Sequence, residues 1–505
     1  MEIDMAQLQN YLFLLFLTFS ISLLSFSLIV LFLRLRPWCN CHLCKTYLSS
    51  SWRSEFTNLS DWYTHLLKES ATGTVHIHVL GNTITANPAN VEHILKTRFE
   101  NYPKGKQFFS ILGDFLGQGI FNSDGDGWRF QRKMASLELG SISVRSYAFK
   151  IVCKEIKDRL IPLLESISRR DDSTGTLDIQ DVFQRFAFDT ICKISFGLDP
   201  GCLEINQPMS DFAKAFDTAS RLSAQRAITT TPIVWKLKRF LNVGSEKDLK
   251  HAIRLVDDLA KAVIHERRKI GFSTSHDLLS RFMGAVDEQV NDKYLRDIVV
   301  SFLLAGRDTV ASGLTTFFLL LSQNPSVAAA IRKEIDTFKK DDVLYPDQLQ
   351  KMHYVHAALY ENLRLYPPVQ FDSKFSAEDD VLPDGTLIRK GTRVTYHPYA
   401  MSRMESIWGE DCLEFKPERW LRDGVFTPEN LYKYPVFQAG SRVCLGKELS
   451  VMEMKAVIVS IMHRFNIEVL MFKEKPQFAI GLTATINGGV PARVLHQQVQ
   501  DRCQS

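Results

Sequence analysis

One cysteine of this chain stands among glycines and an arginine in a pattern that suits metal ligation. Residues 437–446 read Phe-Gln-Ala-Gly-Ser-Arg-Val-Cys-Leu-Gly, and a helical pattern follows. A thiolate ligand needs backbone N–H groups near its sulfur, and Gly440 and Gly446 allow the close approach that larger residues would block. Arg442 can pair with an anionic group of a bound cofactor. A lone cysteine is more often buried and unreactive, so the prediction that Cys444 binds a metal depends on the whole spaced pattern.

Residues 305–309 (Ala-Gly-Arg-Asp-Thr) suit proton transfer, and they lie midway along a long helical segment. The Thr309 hydroxyl and the neighbouring Asp308 carboxylate can relay protons to a reacting oxygen atom. Gly306 costs about 1 kcal/mol relative to alanine inside a helix, and we expect it to leave room for a small molecule beside the helix. The alternative is a glycine kink with a threonine whose hydroxyl is already satisfied.

A third group of residues can form a charged triad. Glu361 and Arg364 stand one helical turn apart and can hydrogen-bond to each other. Arg419, in the Pro-Glu-Arg-Trp stretch at 417–420, can join them and fix the segment that leads to the ligand cysteine. Taken alone, Glu-x-x-Arg is a common surface ion pair.

The elements that position these groups begin with an uncharged run at Tyr11–Leu33. As a helix it would span roughly 35 Å, which is enough to cross a bilayer. Acidic residues precede the run and no cleavage site follows, so it differs from a signal peptide. Arg34, Arg36 and Lys45 come after it, and the positive-inside rule then leaves the bulk of the protein in the cytosol.

Helical periodicity dominates the rest of the chain, and we predict a mainly α fold with a minor β part. Apolar residues three and four apart predict helices over 144–168, 177–196, 246–269 and 293–322. Alternation predicts a β-hairpin from strands at 74–80 and 83–86 around a Gly81–Asn82 turn, and Pro88 opens a short helix. Loop signals cluster at 171–175 and 271–275.

The simplest division is one catalytic domain after one anchor. The predicted segments are 1–10 as a lumenal N-terminus, 11–33 as the transmembrane anchor, 34–60 as a juxtamembrane linker, 61–496 as the catalytic domain and 497–505 as a tail. The formal net charge of +4 comes without the basic stripe that nucleic-acid binding requires, so we exclude that class. No G-x-G-x-x-G motif follows a strand, so the chain should lack its own flavin or nicotinamide domain.

The nine cysteines are spread irregularly, which fits a reducing compartment. Cys39, Cys41, His42 and Cys44 follow the anchor and could in principle bind zinc. Their spacing is not a paired C-x-x-C arrangement, and no second ligand pair follows. We therefore predict packed or acylated cysteines and no metal there.

Together these motifs resemble the cytochrome P450 superfamily, whose haem-binding signature is Phe-x-x-Gly-x-Arg-x-Cys-x-Gly. The resemblance covers residues 74–491 and implies the cytochrome P450 fold, with Cys444 as the ligand of the haem iron and Asp308 and Thr309 in oxygen activation. Trp128 and Arg132, one turn apart, resemble the helix whose two ends reach the haem propionates. The cofactor-binding residues that the resemblance implies are Trp128, Arg132, Phe437, Gly440 and Arg442, and its structural triad is Glu361, Arg364 and Arg419.

The resemblance implies a haem-thiolate monooxygenase that contains haem b (iron protoporphyrin IX). Electrons would come from NADPH through a separate NADPH-cytochrome P450 reductase in the same membrane. The expected location is the endoplasmic reticulum membrane, crossed once, with the catalytic domain facing the cytosol. The expected partners are the reductase, membrane lipid and an amphipathic carboxylate substrate.

Several stretches resemble, more narrowly, the plant fatty-acid ω-hydroxylase clan. They are residues 121–136, 276–282, 305–309 and 367–374, and the match within the clan is closest to family 94. Residues 39–42 and 52–58 resemble its C subfamily, whose members oxidise the ω-carbon of jasmonoyl-isoleucine first to the alcohol and then to the carboxylic acid. Jasmonoyl-isoleucine or its 12-hydroxy derivative is therefore the expected substrate. The alternatives are general fatty-acid ω-hydroxylation and, less favoured, sterol side-chain hydroxylation.

The resemblance also implies an apolar substrate pocket. Its predicted lining includes Phe302, Ala305, Val369, Phe371 and Leu482. Val369 and Phe371 stand two apart on a predicted strand and would project to the same side. Lys104 and Lys106 are candidates for holding a carboxylate, but we expect both to be exposed, solvated lysines.

Two rival classes also use a haem ligand. A haem sensor or electron carrier would not need Asp308 and Thr309 beside the iron. A rearranging enzyme of the allene oxide synthase type would be expected to lack that threonine and the membrane anchor. Both features favour the monooxygenase.

Overall fold

A computed structural model of the chain describes residues 5–35, 39–170, 175–204, 211–271, 277–285, 291–338, 343–470 and 475–497. Arg36, His276 and most of the two predicted loops lie outside these ranges. The first helix, α1 (Met5–Leu35), is long and apolar enough to cross a membrane over Gln9–Leu28, where the rest of the protein buries none of it. This agrees with the predicted anchor at 11–33.

The helices of the first half build most of the domain. They are α2 (His42–Ser49), α3 (Leu59–Glu69), α4 (Pro88–Glu92), α5 (Gly105–Leu116), α6 (Gly125–Gly140), α7 (Ile142–Glu155), α8 (Ile161–Ser168), α9 (Ile179–Phe196), α10 (Asp211–Ile228), α11 (Pro232–Leu241) and α12 (Ser245–Ile270). Helices α7 and α8 are continuous through a π-helical turn at Ile156–Leu160, which matches the helix predicted over 144–168.

The second half contains the longest buried helix and the helix that follows Cys444. Its helices are α13 (Leu278–Ala285), α14 (Asp292–Leu303), α15 (Thr309–Gln323), α16 (Pro325–Phe338), α17 (Pro346–Lys351), α18 (His353–Leu365), α19 (Pro398–Met401), α20 (Glu405–Trp408) and α21 (Lys447–Arg464). A π-helical turn at Leu304–Asp308 joins α14 and α15 into one run, as the periodicity over 293–322 predicts.

The β part is small, as predicted. Its strands are β1 (Thr74–Ile77), β2 (Asn82–Thr85), β3 (Thr176–Asp178), β4 (Asp372–Phe375), β5 (Asp380–Val381), β6 (Leu387–Ile388), β7 (Arg393–Tyr396), β8 (Leu421–Arg422), β9 (Val425–Phe426), β10 (Phe465–Val469) and β11 (Pro491–His496). One sheet has the order β1-β2-β7-β4, where only the β2–β7 pair is parallel, and a second has the antiparallel order β10-β11-β3.

Two predicted boundaries differ from the structure for local reasons. The predicted hairpin forms, but a 3₁₀ turn at His78–Leu80 replaces the end of its first strand, and Asn82 pairs with Ile77 instead of turning. Helix α9 begins two residues later than predicted. The Asp178 side chain accepts a hydrogen bond from the Gln180 N–H at 2.9 Å and so caps the helix there.

Two hydrophobic cores meet along the α14–α15 run. Buried residues of α14, such as Val299 and Leu303, pack with α5, α10 and α12. Buried residues of α15, such as Leu314 and Phe317, pack with α9, α18 and α21. The π-helical turn between α14 and α15 thus lies where one core gives way to the other.

Candidate active site

A cavity of about 1450 Å³ lies beside the π-helical turn of the α14–α15 run. It is lined by the Cys444 loop, the C-terminal part of α14, Thr309, α5 and the residues that precede β4. Cys444 is exposed, whereas the seven other described cysteines are buried or half-buried. Because Cys444 lines the cavity, its exposed surface faces the interior, where a bound group can reach the sulfur.

Tight backbone contacts hold the Cys444 loop. Gly440 has a φ of +60°, and a Cβ at this position would lie 2.1 Å from the Leu95 carbonyl oxygen. Gln438 also has a positive φ of 62°, a conformation that costs a non-glycine residue free energy. The Cys444 N–H donates to the Phe437 carbonyl at 2.8 Å. Glycine at 440 therefore serves the approach of another backbone segment, and the turn aims the cysteine at the cavity.

The surroundings of the Cys444 sulfur are cationic. Burial raises the pKa of the Cys444 thiol, whereas the Gly446 amide and the charges of Arg132 and Lys447 act in the opposite direction. Neutralising the negative sulfur with a metal cation would remove the burial penalty on the thiolate. The sulfur thus occupies a site that suits a metal-bound thiolate.

Two arginines lie near Trp128, and within the part of the chain that the structure describes only Arg442 is paired with a carboxylate. Arg442 donates to Asp124 Oδ1 at 2.6 Å, and its guanidinium lies 4.4 Å from the Trp128 ring centre. Arg442 Nε is buried with no hydrogen-bond partner, and among the described residues Arg132 forms no ion pair. The pKa of Arg132 is lowered because of burial. This unbalanced positive charge fits the two propionate carboxylates of a haem.

The predicted proton-transfer residues lie at the junction of the π-helical turn and α15. The Thr309 hydroxyl donates to the Ala305 carbonyl at 2.5 Å. Asp308 accepts from Arg307 at 3.0 Å and from the Thr483 hydroxyl at 3.4 Å. Burial raises the pKa of Asp308 to about 6, although Arg307 and Thr483 oppose the shift. A carboxyl group that titrates near neutral pH is suited to proton transfer.

Gly306 has a different role from the one expected. A Cβ at this position would lie 2.3 Å from the Cδ1 atom of Ile191 on α9. The space left by the missing side chain is therefore filled by Ile191 and gives no room for a small molecule. A π-helical turn is itself common at functional sites, and here it carries Ala305 and Gly306 along the cavity wall.

The sequence prediction missed a salt bridge that reaches α10. Arg307 is buried and donates to Asp217 at 2.5 Å and 3.2 Å, as well as to Asp308. Nothing in the local sequence singles out Asp217, because its partner lies 90 positions away. Asp124, the partner of Arg442, was missed for the same reason.

The predicted triad comes together in the interior. Arg364 donates to both oxygens of Glu361 at 2.8 Å, and Arg419 Nε lies 3.3 Å from Glu361 Oε1. Glu361 and Arg364 are fully buried. The Trp420 indole N–H also donates to Glu361 at 2.8 Å, a contact that the sequence prediction did not include. Four side chains thus tie α18 to the turn at Pro417–Trp420, which precedes the Cys444 loop.

The predicted pocket residues Phe302, Ala305, Val369, Phe371 and Leu482 all line the cavity. Val369 and Phe371 are not on a strand, which corrects the prediction, because β4 begins at Asp372. The two prolines at 367–368 have no backbone N–H to donate, so they disfavour strand pairing in the segment before β4.

Lys104 is also not as predicted. It is buried, and its ammonium group lies 2.5 Å from Asp372, whereas Lys106 is exposed as expected. Lys104 is therefore paired within the protein, and it shares Asp372 with Lys374, whose ammonium group lies 2.7 Å from the other carboxylate oxygen.

Comparison with known proteins gives a consistent result. A family model described as Cytochrome P450 matches residues 44–489. Cytochrome P450 94C1 of Arabidopsis thaliana is 58% identical over 492 residues, which cover 95% of this chain and 99% of that protein. Cytochrome P450 94B1 of Arabidopsis thaliana is 46% identical over 88% of each chain. Cytochrome P450 94A1 of Vicia sativa is 43% identical over 90% of this chain and 89% of its own length.

Proposed function

This chain belongs to the cytochrome P450 family and, within it, to the C subfamily of plant family 94, and from that premise we propose that it ω-hydroxylates jasmonoyl-isoleucine or its 12-hydroxy derivative and oxidises the product further to the carboxylic acid. The enzyme is a haem monooxygenase that receives its electrons from a reductase. The observation that carries the proposal is the mostly apolar cavity that Cys444, Thr309 and Phe302 all line.

Bound haem supplies the iron at which one atom of dioxygen enters a C–H bond and the other leaves as water, with two electrons from NADPH. We assign the following roles to the residues of this chain. The Cys444 thiolate would hold the iron, and Arg132 and Arg442 would bind the propionates. Thr309 and Asp308 deliver protons to the cavity. The Glu361 group stabilises the loop that presents the cysteine.

Attack on a terminal carbon requires tight positioning, because a primary C–H bond is stronger than the secondary bond next to it. The protein must hold the methyl end at the reacting position and keep the inner carbons away. Val369 and Phe371 line the same cavity as Leu482, and we assign them to the narrow end of the channel. Val369→Phe should slow turnover or move the site of attack inward.

The opposite end of the substrate carries a carboxylate, for which Arg53 is our candidate. Arg53 is exposed, lines the cavity and lies 5.3 Å from the Trp52 ring centre. Among the described residues it has no ion pair. It belongs to the 52–58 stretch that resembles subfamily C, and most of that stretch lines the cavity. Arg221 on α10 also lines the cavity and is the alternative cation.

Arg53→Gln tests this assignment. The substitution should raise the KM for jasmonoyl-isoleucine several-fold, as expected for about 1 kcal/mol of lost ion pairing, and leave kcat nearly unchanged. The methyl ester of the substrate should be insensitive to the substitution. If Arg221→Gln raises the KM in this way and Arg53→Gln does not, the substrate carboxylate binds Arg221 of α10.

The second candidate function is general fatty-acid ω-hydroxylation, which the resemblance of residues 121–136, 305–309 and 367–374 to the plant ω-hydroxylase clan keeps open. Microsomes that contain this chain and an NADPH-cytochrome P450 reductase should be given jasmonoyl-isoleucine, 12-hydroxy-jasmonoyl-isoleucine, lauric acid and a sterol. Mass spectrometry should show terminal oxidation with the two jasmonates preferred. Lauric acid as the best substrate would assign the general function, and exclusive mid-chain or sterol hydroxylation would refute ω-oxidation.

The protein is membrane-anchored, and we propose that its membrane is the endoplasmic reticulum with the catalytic domain in the cytosol. The proposal rests on the apolar α1 helix and on the basic residues Arg34, Arg36 and Lys45 that follow the apolar run. This orientation places the enzyme on the same side as the reductase.

A further inference from the structure

Three cysteines and a histidine converge just after the membrane anchor. The sulfur atoms of Cys39, Cys41 and Cys44 and a ring nitrogen of His78 all lie within 4.8 Å of one another. Cys41 Sγ lies 3.9 Å from His78 Nδ1. Around a tetrahedral zinc ion, with bonds of about 2.3 Å to sulfur and 2.0 Å to nitrogen, neighbouring ligand atoms are about 3.5–3.8 Å apart. The four atoms therefore need to move by no more than about 1 Å.

The fold holds these ligands in place. Cys44 is fully buried in α2, and its sulfur accepts the Val79 N–H at 3.4 Å. Hydrogen bonds from backbone N–H groups orient and stabilise thiolate ligands. Cys41 is the N-cap residue of α2, where the first backbone N–H groups have no partner in the helix and favour negative charge. His78 begins the 3₁₀ turn between β1 and β2 and is exposed.

We propose that Cys39, Cys41, Cys44 and His78 bind a structural zinc ion. Three thiolates and one imidazole form one of the closed ligand sets of structural zinc sites, and soft sulfur ligands disfavour magnesium and calcium. Four protein ligands leave no position for water, so the site has no catalytic role. Its ligands are all separate from the Cys444 loop.

The fourth ligand explains why the sequence prediction assigned no metal here. That prediction looked for a second ligand pair near the cysteines, whereas His78 comes later in the sequence, after α3 and β1. Packing alone accounts for the burial of Cys44, but it gives no reason for four ligand atoms to meet. A disulfide would use only two of the three thiols and would leave His78 outside the bond.

The site would join the anchor to the catalytic domain. Only residues 36–38 separate α1 from Cys39, whereas His78 belongs to the hairpin whose second strand pairs with β7. Strand β7 also pairs with β4, which directly follows Phe371 at the cavity. Zinc binding stabilises the structure that its ligands share. The ion would therefore fix the juxtamembrane segment on the sheet next to the substrate channel.

The first test uses the full-length holoenzyme, purified in detergent without chelators. Metal analysis should give about one zinc ion per haem. X-ray absorption at the zinc edge should give about three sulfur ligands at 2.3 Å and one nitrogen at 2.0 Å. Protein that retains haem but holds no zinc overturns the proposal, and so does zinc coordinated mainly by oxygen.

The second test uses variants with matched controls. Cys41→Ser and His78→Ala should each weaken zinc binding at least tenfold while haem content stays unchanged, since neither residue lines the cavity. Cys153→Ser removes a half-buried thiol elsewhere, and His65→Ala removes an exposed histidine of α3 that contacts the Phe56 ring. Both controls should keep zinc. Zinc retained by the His78 and Cys41 variants refutes the site, as does an intact mass of the wild type that shows an acyl chain or a disulfide on these cysteines.

Discussion

The guanidinium of Arg307 bridges two carboxylates, with Asp217 of α10 at 2.5 Å and Asp308 of its own helix at 3.0 Å. Helix α10 also lines the cavity through Arg221, Gln225 and Ile228. The charge of the proton-transfer residue is therefore tied to the helix that encloses the substrate.

We expect the oxygen chemistry to depend on pH through the buried carboxyl group of Asp308. Because the pKa of Asp308 is raised to about 6, mainly by burial, the yield of product per NADPH should change across pH 6. Asp217→Asn removes a negative charge that raises this pKa, so the inflection should move to lower pH. Asp211→Asn, an exposed change on the same helix, should leave it in place. An inflection unmoved by Asp217→Asn would show that another group titrates.

Thr309→Ala should uncouple electron use from oxidation. The variant should bind haem normally but divert electrons to peroxide or water, because a proton donor beside the cavity is lost. Thr315→Ala is the matched control, since that hydroxyl bonds the carbonyl four residues earlier in the same way and does not line the cavity. Equal peroxide formation by the two variants would make Thr309 a structural residue.

Cys444→Ser should abolish the reduced carbon monoxide absorption band that thiolate ligation produces, together with turnover, because serine is a far weaker ligand for iron. Cys153→Ser should retain both. A Cys444→Ser enzyme with the band intact would assign the iron to another ligand.

Trp420→Phe should destabilise the holoenzyme by about 1–3 kcal/mol, because Glu361 is buried and loses a donor. Trp408→Phe is the natural comparison, since the Trp408 indole N–H is buried without a partner. Trp408→Phe should lower the stability of the holoenzyme by less than Trp420→Phe does. The apparent unfolding midpoints of the two variants measure the difference. If Trp420→Phe lost less stability than Trp408→Phe, the hydrogen bond from Trp420 to Glu361 would not contribute to holding the charged triad.

Removal of residues 1–36 should release much of the protein from membranes and leave haem binding intact, because the cavity is built downstream of α1. Separation of membrane and soluble fractions, followed by haem quantification in each, measures both effects. In the full-length protein, protease protection of the catalytic domain inside sealed microsomes would place that domain in the lumen and refute the proposed orientation.

The sequence predicts those parts of the site that lie within one motif. The Cys444 loop and the α14–α15 run combine local glycine chemistry with helical periodicity, and both are where the sequence places them. Contacts between distant segments were not predictable. Asp217, Asp124 and His78 become partners of Arg307, Arg442 and the cysteines only through packing. A single sequence holds no signal that joins such positions.

The errors have the same origin. Lys104 looks like a solvated lysine in the sequence, but it is buried and pairs with Asp372, 268 positions later. Val369 and Phe371 alternate as strand residues do, yet pairing begins only at Asp372. Alternation describes which side chains share a face and says nothing of whether a neighbouring strand is present to pair with.

The π-helical turn at Leu304–Asp308 determines how the buried face of α15 is rotated relative to that of α14. Its one extra residue offsets the faces of the two helices by about 100°, and each face is matched to a different hydrophobic core. Loss of one residue anywhere in the turn would restore a regular helix and rotate one core face away from its partners. A one-residue deletion in this turn should therefore disrupt a core at the same moment as it displaces Thr309.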